Sequence, residues 1–450
     1  MIESQALGSA ASPAIVQPHP ITRRAVAGWV LYDLANTIFS MGVISLFFSL
    51  WVRDMVGPAR DNQVYGLISA VSMAIIFVMS PLLGAMTDRA RRRMPFLVVS
   101  TLICVSFTAL LGRAGFAVTV LCFVIANVAY QASQQFYDAL LPEVSTEATR
   151  GKIGGIGVGV GYLGSYLAVG LGLVFGPDDK PFLFSLIALL FLLFAIPCFL
   201  FVRERGNPRP RPINFAMVRS STRETIRTLR SGQQYPGLLR FLVGRVFYTD
   251  AINTVIAMMV LYTVNVAVST GLTEAQGQVQ ANLILMAAIT FAIAGGFFWG
   301  WLADKLGPKR TLTIVLQAWI AIFLGVAAIG ILGLPLSALY IVAACAGFAL
   351  GGVWAADRPL MLRLTPPARI GEFYGLYGMV GRFSNITGPA IWAFITWLTI
   401  QVFGLAPRVG QGIGVLVLLL LVLLSYVILR PISDQPRAWQ GADLPPHEVS

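Results

Sequence analysis

Carboxylates, guanidiniums and amides recur at helical spacing inside stretches that otherwise consist of hydrocarbon side chains. Asp33, Asn36 and Thr37 stand at i, i+3 and i+4, so a helix there carries all three on one face. Asp250, Asn253 and Thr254 repeat the pattern 217 positions later. Asn127, Gln131, Gln134, Gln135 and Asp138 form a polar stripe along a third segment, and Trp354, Asp357, Arg358 and Met361 a shorter one along a fourth. A fifth carries Tyr374, Tyr377, Gly378, Arg382 and Asn385 on one face, and Arg245 lies just ahead of Asp250. The chemistry on offer is recognition rather than catalysis. A guanidinium forks onto the two oxygens of a carboxylate. An Asp takes an amino group or a proton, and amides and phenols supply neutral hydrogen bonds.

These groups sit where charge is costly. The chain has 450 residues, 57% hydrophobic and only 12% charged, against about a quarter charged in soluble domains. Twelve apolar runs are long enough to cross a bilayer, near 26–51, 64–87, 94–113, 115–140, 153–176, 181–202, 237–264, 280–303, 311–332, 335–361, 372–400 and 411–430. An all-α polytopic membrane protein is expected. A charge at the bilayer centre costs at least about 2.5–3.5 kcal/mol, so these residues must line a cavity or meet a partner.

The net charge of +12 does not point to nucleic acid. With twelve alternating spans, Arg89–Arg93, the Arg203–Arg230 stretch, Lys305, Lys309 and Arg310 fall on one side, while the other keeps only Arg53, Arg60, Arg113, Lys180 and Arg408. The positive-inside rule puts the basic side and both termini in the cytoplasm, against anionic lipid. The expected organisation is a disordered tail over 1–25, a six-helix bundle over 26–202, a linker over 203–236 with an amphipathic helix in it, a second bundle over 237–430 and a tail over 431–450.

Several chemistries are excluded. Both histidines, His19 and His447, lie in the tails, and the four cysteines lie in spans without metal spacing, so no metal site and no disulfide is expected. Gly159–Gly164 matches G-x-G-x-x-G but lies in an apolar helix with no acidic residue about 20 positions on, and no P-loop occurs. Its glycines instead make small-xxx-small faces, Gly155/Gly159 and Gly157/Gly161. No nucleotide, no cofactor and no enzymatic activity is expected, and the tail over 1–22 reads as no cleavable signal peptide.

The second half repeats the first. Gly84, Asp88, Arg89 and Arg93 return as Gly300, Asp304, Lys305 and Lys309, all 216 positions on, and Asp138 and Arg150 return as Asp357 and Arg369, 219 positions on. Six spans per copy give both halves the same orientation, with a solute site between them. The Gly-x-x-x-Asp-basic loops resemble the signature of the major facilitator superfamily, with Arg91 where a glycine is usual and Gly307 fitting in the second copy. "WVLYDLANTIFSMGVISLFFSLWV", "FYDALLPEVSTEATRGKIGGIGVGVGYLGS", "FLVGRVFYTDAINTVIAM" and "ARIGEFYGLYGMVGRFSNITGP" are similar to the Unknown Major Facilitator family, which includes the autophagy-related vacuolar amino-acid effluxers of fungi. Leu34, Asp138, Thr249, Ala251 and the "WAADRPLM" stretch depart from its usual residues.

That resemblance implies a secondary transporter that rocks two halves about a central cavity lined by spans 1, 4, 7 and 10, each of which carries an Asp here. It implies efflux of an amino acid or similar small polar solute, by a monomer, driven by its gradient or by protons. The candidate binding set is Asp33, Asn36, Thr37, Asn127, Gln131, Gln134, Arg245, Asp250, Asn253, Thr254, Trp354, Tyr377, Arg382 and Asn385. Asp33 and Asp250 can equally neutralise Arg245 and Arg382. The resemblance also makes Gly84, Asp88, Arg89, Arg93, Gly300, Asp304, Lys305 and Lys309 a cytoplasmic latch, which Asp138 and Asp357 would join by pairing with its basic residues. A non-transporting assembly factor or sensor, and an exporter of amphipathic drugs, share the fold.

Overall fold

A computed structural model describes residues 20–57, 60–176, 179–207, 210, 235 and 237–435, apart from the side chains of Asn62, Asn385 and Ile386. The amphipathic helix expected in the linker lies outside the described residues. The long helices are α1 (Arg23–Val56), α2 (Asp61–Arg89), α3 (Met94–Ala109), α4 (Phe116–Asp138), α5 (Arg150–Phe175), α6 (Lys180–Phe201), α7 (Leu238–Ser269), α8 (Glu274–Leu306), α9 (Pro308–Leu332), α10 (Ser337–Leu364), α11 (Ile370–Thr396) and α12 (Pro407–Leu429). Each falls on one of the twelve apolar runs. Ten are long and apolar enough to cross a membrane; α3 is shorter, and α11 spans 27 residues. No strand occurs among the described residues.

Local signals set the helix ends. Thr22 caps α1 through its hydroxyl, which accepts the Ala25 N–H at 3.2 Å, so the helix takes in the last three residues of the expected N-terminal tail. Thr273 and Gln276 form a capping box on α8. Pro308 and Pro407 open α9 and α12, where a missing N–H has no cost. The signature loops differ in the two halves. Gly307, at φ +87°, reverses the chain in a single residue between α8 and α9. Between α2 and α3 the residues Ala90–Arg93 spread the reversal over a longer turn, which tolerates Arg91 in place of glycine.

Lipid-facing surface is apolar and open: Leu67, Val78 and Leu173 are 68%, 76% and 81% exposed, an arrangement stable only in hydrocarbon. Two glycine rows on α5 set its packing. A Cβ at Gly155 would come within 2.6 Å of Gly300 in α8, and one at Gly159 within 2.8 Å of Phe297. On the other row a Cβ at Gly157 would lie 3.2 Å from the Asp33 carboxylate and one at Gly161 3.3 Å from the Thr37 hydroxyl. The first row joins the halves through α5 and α8; the second lays the polar face of α1 against bare backbone. α1 itself widens to a π-helix over Ser40–Phe47, beside the central cavity.

Candidate functional site

The basic side of the molecule is held shut by two carboxylates acting in the same way. Asp88, at the end of α2, accepts the Gly371 and Glu372 N–H groups at 2.7 Å each, at the start of α11. Asp304, at the end of α8, accepts the Gly151 and Lys152 N–H groups at 2.7 and 2.9 Å, at the start of α5. Each caps a helix of the opposite half, where free amides and the helix dipole both favour a carboxylate. The glycine four residues earlier lies on the same helix face, and this is why it is glycine. A Cβ at Gly84 would lie 2.8 Å from the Gly371 carbonyl carbon, and one at Gly300 2.7 Å from the Gly151 oxygen. Any side chain there would push the capped helix out of reach. Gly151 and Gly371 follow the repeat-equivalent Arg150 and Arg369 by one and two residues, so the closure has nearly the symmetry of the duplication.

A second pair of caps backs the first. Glu204, after α6, accepts the Arg93 and Met94 N–H groups at 2.6 and 3.0 Å at the start of α3. Burial pushes its carboxyl above the usual range, against the opposing Arg93 charge and those two backbone donors. Asp434, after α12, accepts the Lys309 N–H at 3.0 Å and lies 3.5 Å from Arg363, which also reaches Glu147 of the other half at 3.4 Å. Arg93 additionally bonds Asp88 at 3.1 Å. Lys305 is set apart, over the Trp301 ring at 4.1 Å, and Arg89 ends α2. Replacing Asp88 or Asp304 with Ala should accelerate hydrogen exchange at the Gly371 or Gly151 amide about 5–30-fold, as expected for losing about 1–2 kcal/mol of cap. Unchanged exchange would mean the caps do not hold the closure.

Above this closure lies a cavity of about 590 Å³ between the halves. Asp33, Thr37, Gln131, Gln134, Asp138, Arg245, Asn253, Trp354, Arg358, Tyr374, Tyr377 and Arg382 line it. Two ion networks cross its floor. Arg358 on α10 lies 3.5 Å from Asp33 on α1 and 3.1 Å from Asp138 on α4, one cation shared by two carboxylates of the opposite half. Arg245 on α7 donates to Asp357 on α10 at 3.0 Å and to the Tyr377 carbonyl at 2.9 Å, and its guanidinium stacks 3.5 Å from the Tyr377 ring, whose hydroxyl donates to Asp357 at 3.0 Å. Arg382 is different. It is buried, donates to the Ser80 hydroxyl on α2 and to the Gln131 carbonyl at 2.9 Å, and its Nε finds no acceptor. No carboxylate pairs with it among the described residues.

The geometry corrects several expectations. Asp33 and Asp250 do not pair with Arg245 and Arg382; the partners are Arg358 for Asp33 and Asp357 for Arg245. Asp138 and Asp357 do not pair with Arg93, Lys305 or Lys309: Asp138 meets Arg358 and Asp357 meets Arg245, while Arg93 bonds Asp88, the Lys309 N–H bonds Asp434 and Lys305 lies over Trp301. The two Asp-x-x-Asn-Thr copies diverge. In the first, Asp33 and Thr37 face the cavity, while Asn36 turns to donate to Gln134 at 3.2 Å. In the second, Asn253 faces the cavity, while Asp250 accepts from Thr387 at 2.9 Å and Thr254 is buried against Gly388 of α11. Asn127 is fully buried inside the first bundle, one turn beyond the cavity lining. Asn385 lies on α11, its side chain outside the description. Arg358, Ser80 and Tyr374 were absent from the candidate set. Arg358 was visible as one of two charges side by side in an apolar span; being adjacent, the two point about 100° apart on the helix, so Asp357 meets Arg245 within its own half and Arg358 crosses to the other.

Comparison with known proteins agrees with this architecture. The Major Facilitator Superfamily model matches residues 34–389 and 251–447. The chain belongs to the major facilitator superfamily. It is 24% identical to the MFS-type transporter YxiO of Bacillus subtilis (strain 168), over 93% of this chain and 97% of that one. Autophagy-related protein 22-1 of Penicillium rubens is 27% identical over 54% of this chain and 44% of its own length. Among solved structures, the human organic anion transporter MFSD10 superposes with a TM-score of 0.68 at 18% identity, covering 91% of this chain and 98% of that one. A bacterial homologue of the iron transporter ferroportin, in an outward-facing state, gives 0.66 at 16% identity, covering 90% and 98%. In facilitator terms, the caps by Asp88 and Asp304 and the crossing by Arg358 all tie the two bundles together beneath the cavity.

Proposed function

We propose that the chain is a secondary active transporter of a small zwitterion, most simply an amino acid, moved outward across the cytoplasmic membrane by alternating access. Both termini and the basic loops would lie in the cytoplasm. The observation that carries the substrate class is a division of charge within one cavity. Two carboxylates (Asp33, Asp138) and three guanidiniums (Arg245, Arg358, Arg382) line it, with Asp357 fully buried behind Arg245, and the pairing is uneven: Arg358 has two carboxylates and Arg382 none. A zwitterion fits this imbalance, its carboxylate on Arg382 and its ammonium beside Asp33 and Asp138. Gln131, Gln134 and Asn253 supply neutral hydrogen bonds beside them. The partial match to the fungal autophagy-related proteins supports the same class. The polarity of the lining counts against amphipathic drugs.

Uncompensated Arg382 by itself favours a second reading, a simple organic carboxylate. The deciding measurement is uptake into proteoliposomes from a panel of labelled amino acids, deaminated carboxylates and amines, alongside melting midpoints, since a ligand of the folded state alone raises stability. Amino acids should be moved and should stabilise; movement of the deaminated acids with none of the amino acids overturns the zwitterion. Proton coupling is assigned to Asp33, which faces the cavity. Asp33→Asn should end uphill movement driven by a pH gradient while leaving exchange, and Asp250→Asn should keep both. Failure of Asp250→Asn with a working Asp33→Asn would reverse the assignment.

A further inference from the structure

A second cavity, of about 580 Å³, lies on the outer flank of the first bundle between α2, α3 and α4. Its volume is within the ~300–1,000 Å³ of small-molecule sites. Ile75, Met79, Val99, Ile103, Val128 and Phe136 form its walls. The one hydroxyl in the lining, Ser100, is turned onto the carbonyls of Phe96 and Leu97 at 2.7 and 3.0 Å, so no polar group is offered to an occupant. Val99 is 57% exposed, with Ile75, Met79 and Ile103 exposed beside it, so the groove opens onto the surrounding hydrocarbon rather than into the protein. A protein partner would need some edge to hydrogen-bond; an acyl chain needs none.

The groove runs out at Leu83, Pro95 and Phe96, next to the turn that carries Arg89, Arg91, Arg92 and Arg93. Arg93 is committed to Asp88 and to the Ala139 carbonyl. Arg91 and Arg92 are exposed, with no side-chain bond among the described residues. Hydrocarbon wall and exposed cations thus stand end to end. We infer that this groove is a site for one anionic phospholipid of the inner leaflet, its acyl chain between α2, α3 and α4 and its phosphate on Arg91 and Arg92. The bound lipid would sit directly outside the turn that aligns Asp88 with α11, so its occupancy bears on how firmly the basic side closes.

The test uses the full-length protein, delipidated in detergent and titrated with phosphatidylglycerol or phosphatidylcholine of matched chains, the retained lipid being counted by native mass spectrometry. The wild type should retain one phosphatidylglycerol with about a thirtyfold preference, an effect of the size two surface arginines supply. Val99→Trp and Ile103→Trp fill the groove at two depths from its lipid-exposed side, and both should lose the retained lipid whatever its headgroup. Arg91→Gln with Arg92→Gln should abolish the headgroup preference but keep the lipid. Arg310→Gln, an exposed cation of the other half, should change neither. Retention by both Trp variants, an intact preference in the double Gln variant, or an equal loss in Arg310→Gln each overturns the site.

Discussion

Arg382→Ala is expected to reduce movement of an amino acid by two decades or more while leaving a folded, monodisperse protein. The size follows from what the side chain offers. A guanidinium engaging both carboxylate oxygens makes two charge-assisted hydrogen bonds, each at about 1.5–3 kcal/mol, and about 1.4 kcal/mol is a factor of ten. The fold should survive because Arg382 holds its present position by a hydroxyl and a backbone carbonyl, Ser80 and Gln131, and breaks no ion pair when removed. Its loss also removes a buried cation with one nitrogen lacking an acceptor, which is a cost in the empty state. Arg382→Lys keeps the charge but not the fork, so it should fall between the two. A structural role is separated by the ligand: the wild type should discriminate an amino acid from its carboxamide, and Arg382→Ala should not. Normal transport by Arg382→Ala, or retained discrimination, would remove Arg382 from the site.

The architecture was legible because its signals are redundant. Twelve apolar runs, a charge bias by side and three motifs at nearly one offset all point to two six-helix copies, and each survives an error of a few residues in the others. The carboxylate caps were legible for a related reason. Gly84 and Asp88 are four apart on one helix face, and so are Gly300 and Asp304, so a close approach and a cap can be read together. What the spacing could not disclose was the acceptor's partner across the halves, since nothing in residues 84–93 names Gly371.

The cavity was legible as a set of faces and illegible as a set of pairs. Spacing assigns Asp33, Gln131, Asn253 and Arg382 to polar faces, and they do line one space. Which cation meets which anion depends on helix rotation, and a rotation of one residue step changes it. Asp357 and Arg358 illustrate the point: consecutive in sequence, they belong to two networks, one within the second half and one that crosses the interface. The repeat also misled in one place. Equivalence of Asp33 and Asp250 in ancestry implied equivalence in use, yet Thr387 and Gly388 on α11 draw Asp250 and Thr254 out of the cavity, and no counterpart on α5 draws Asp33, because Gly157 and Gly161 leave it room.

Arg358 should be the residue whose loss costs the molecule most. It is the single cation between two largely buried carboxylates, and removing one member of a buried ionic set typically costs about 3–5 kcal/mol because the remaining charge keeps its desolvation without its partner. Arg358→Leu leaves two such charges facing each other, Asp33 and Asp138, on neighbouring helices of one half. Thermal unfolding of the purified variant should therefore begin well below the wild type. Asp33→Asn with Asp138→Asn in the same chain should recover most of the loss, since three neutral side chains of similar volume carry no stranded charge. If the triple variant is no more stable than Arg358→Leu, the network is not what Arg358 supplies. The same variant bears on the closure, because the two carboxylates belong to one half and the guanidinium to the other, so the contact ties the halves together. Spin labels at Thr146 and Leu306, exposed on opposite halves of that side, should report a longer distance in Arg358→Leu than in the wild type, in a background freed of the four native cysteines. On the proposed reading, a substrate ammonium beside Asp33 and Asp138 would compete with Arg358 for the same oxygens and weaken this tie between the halves.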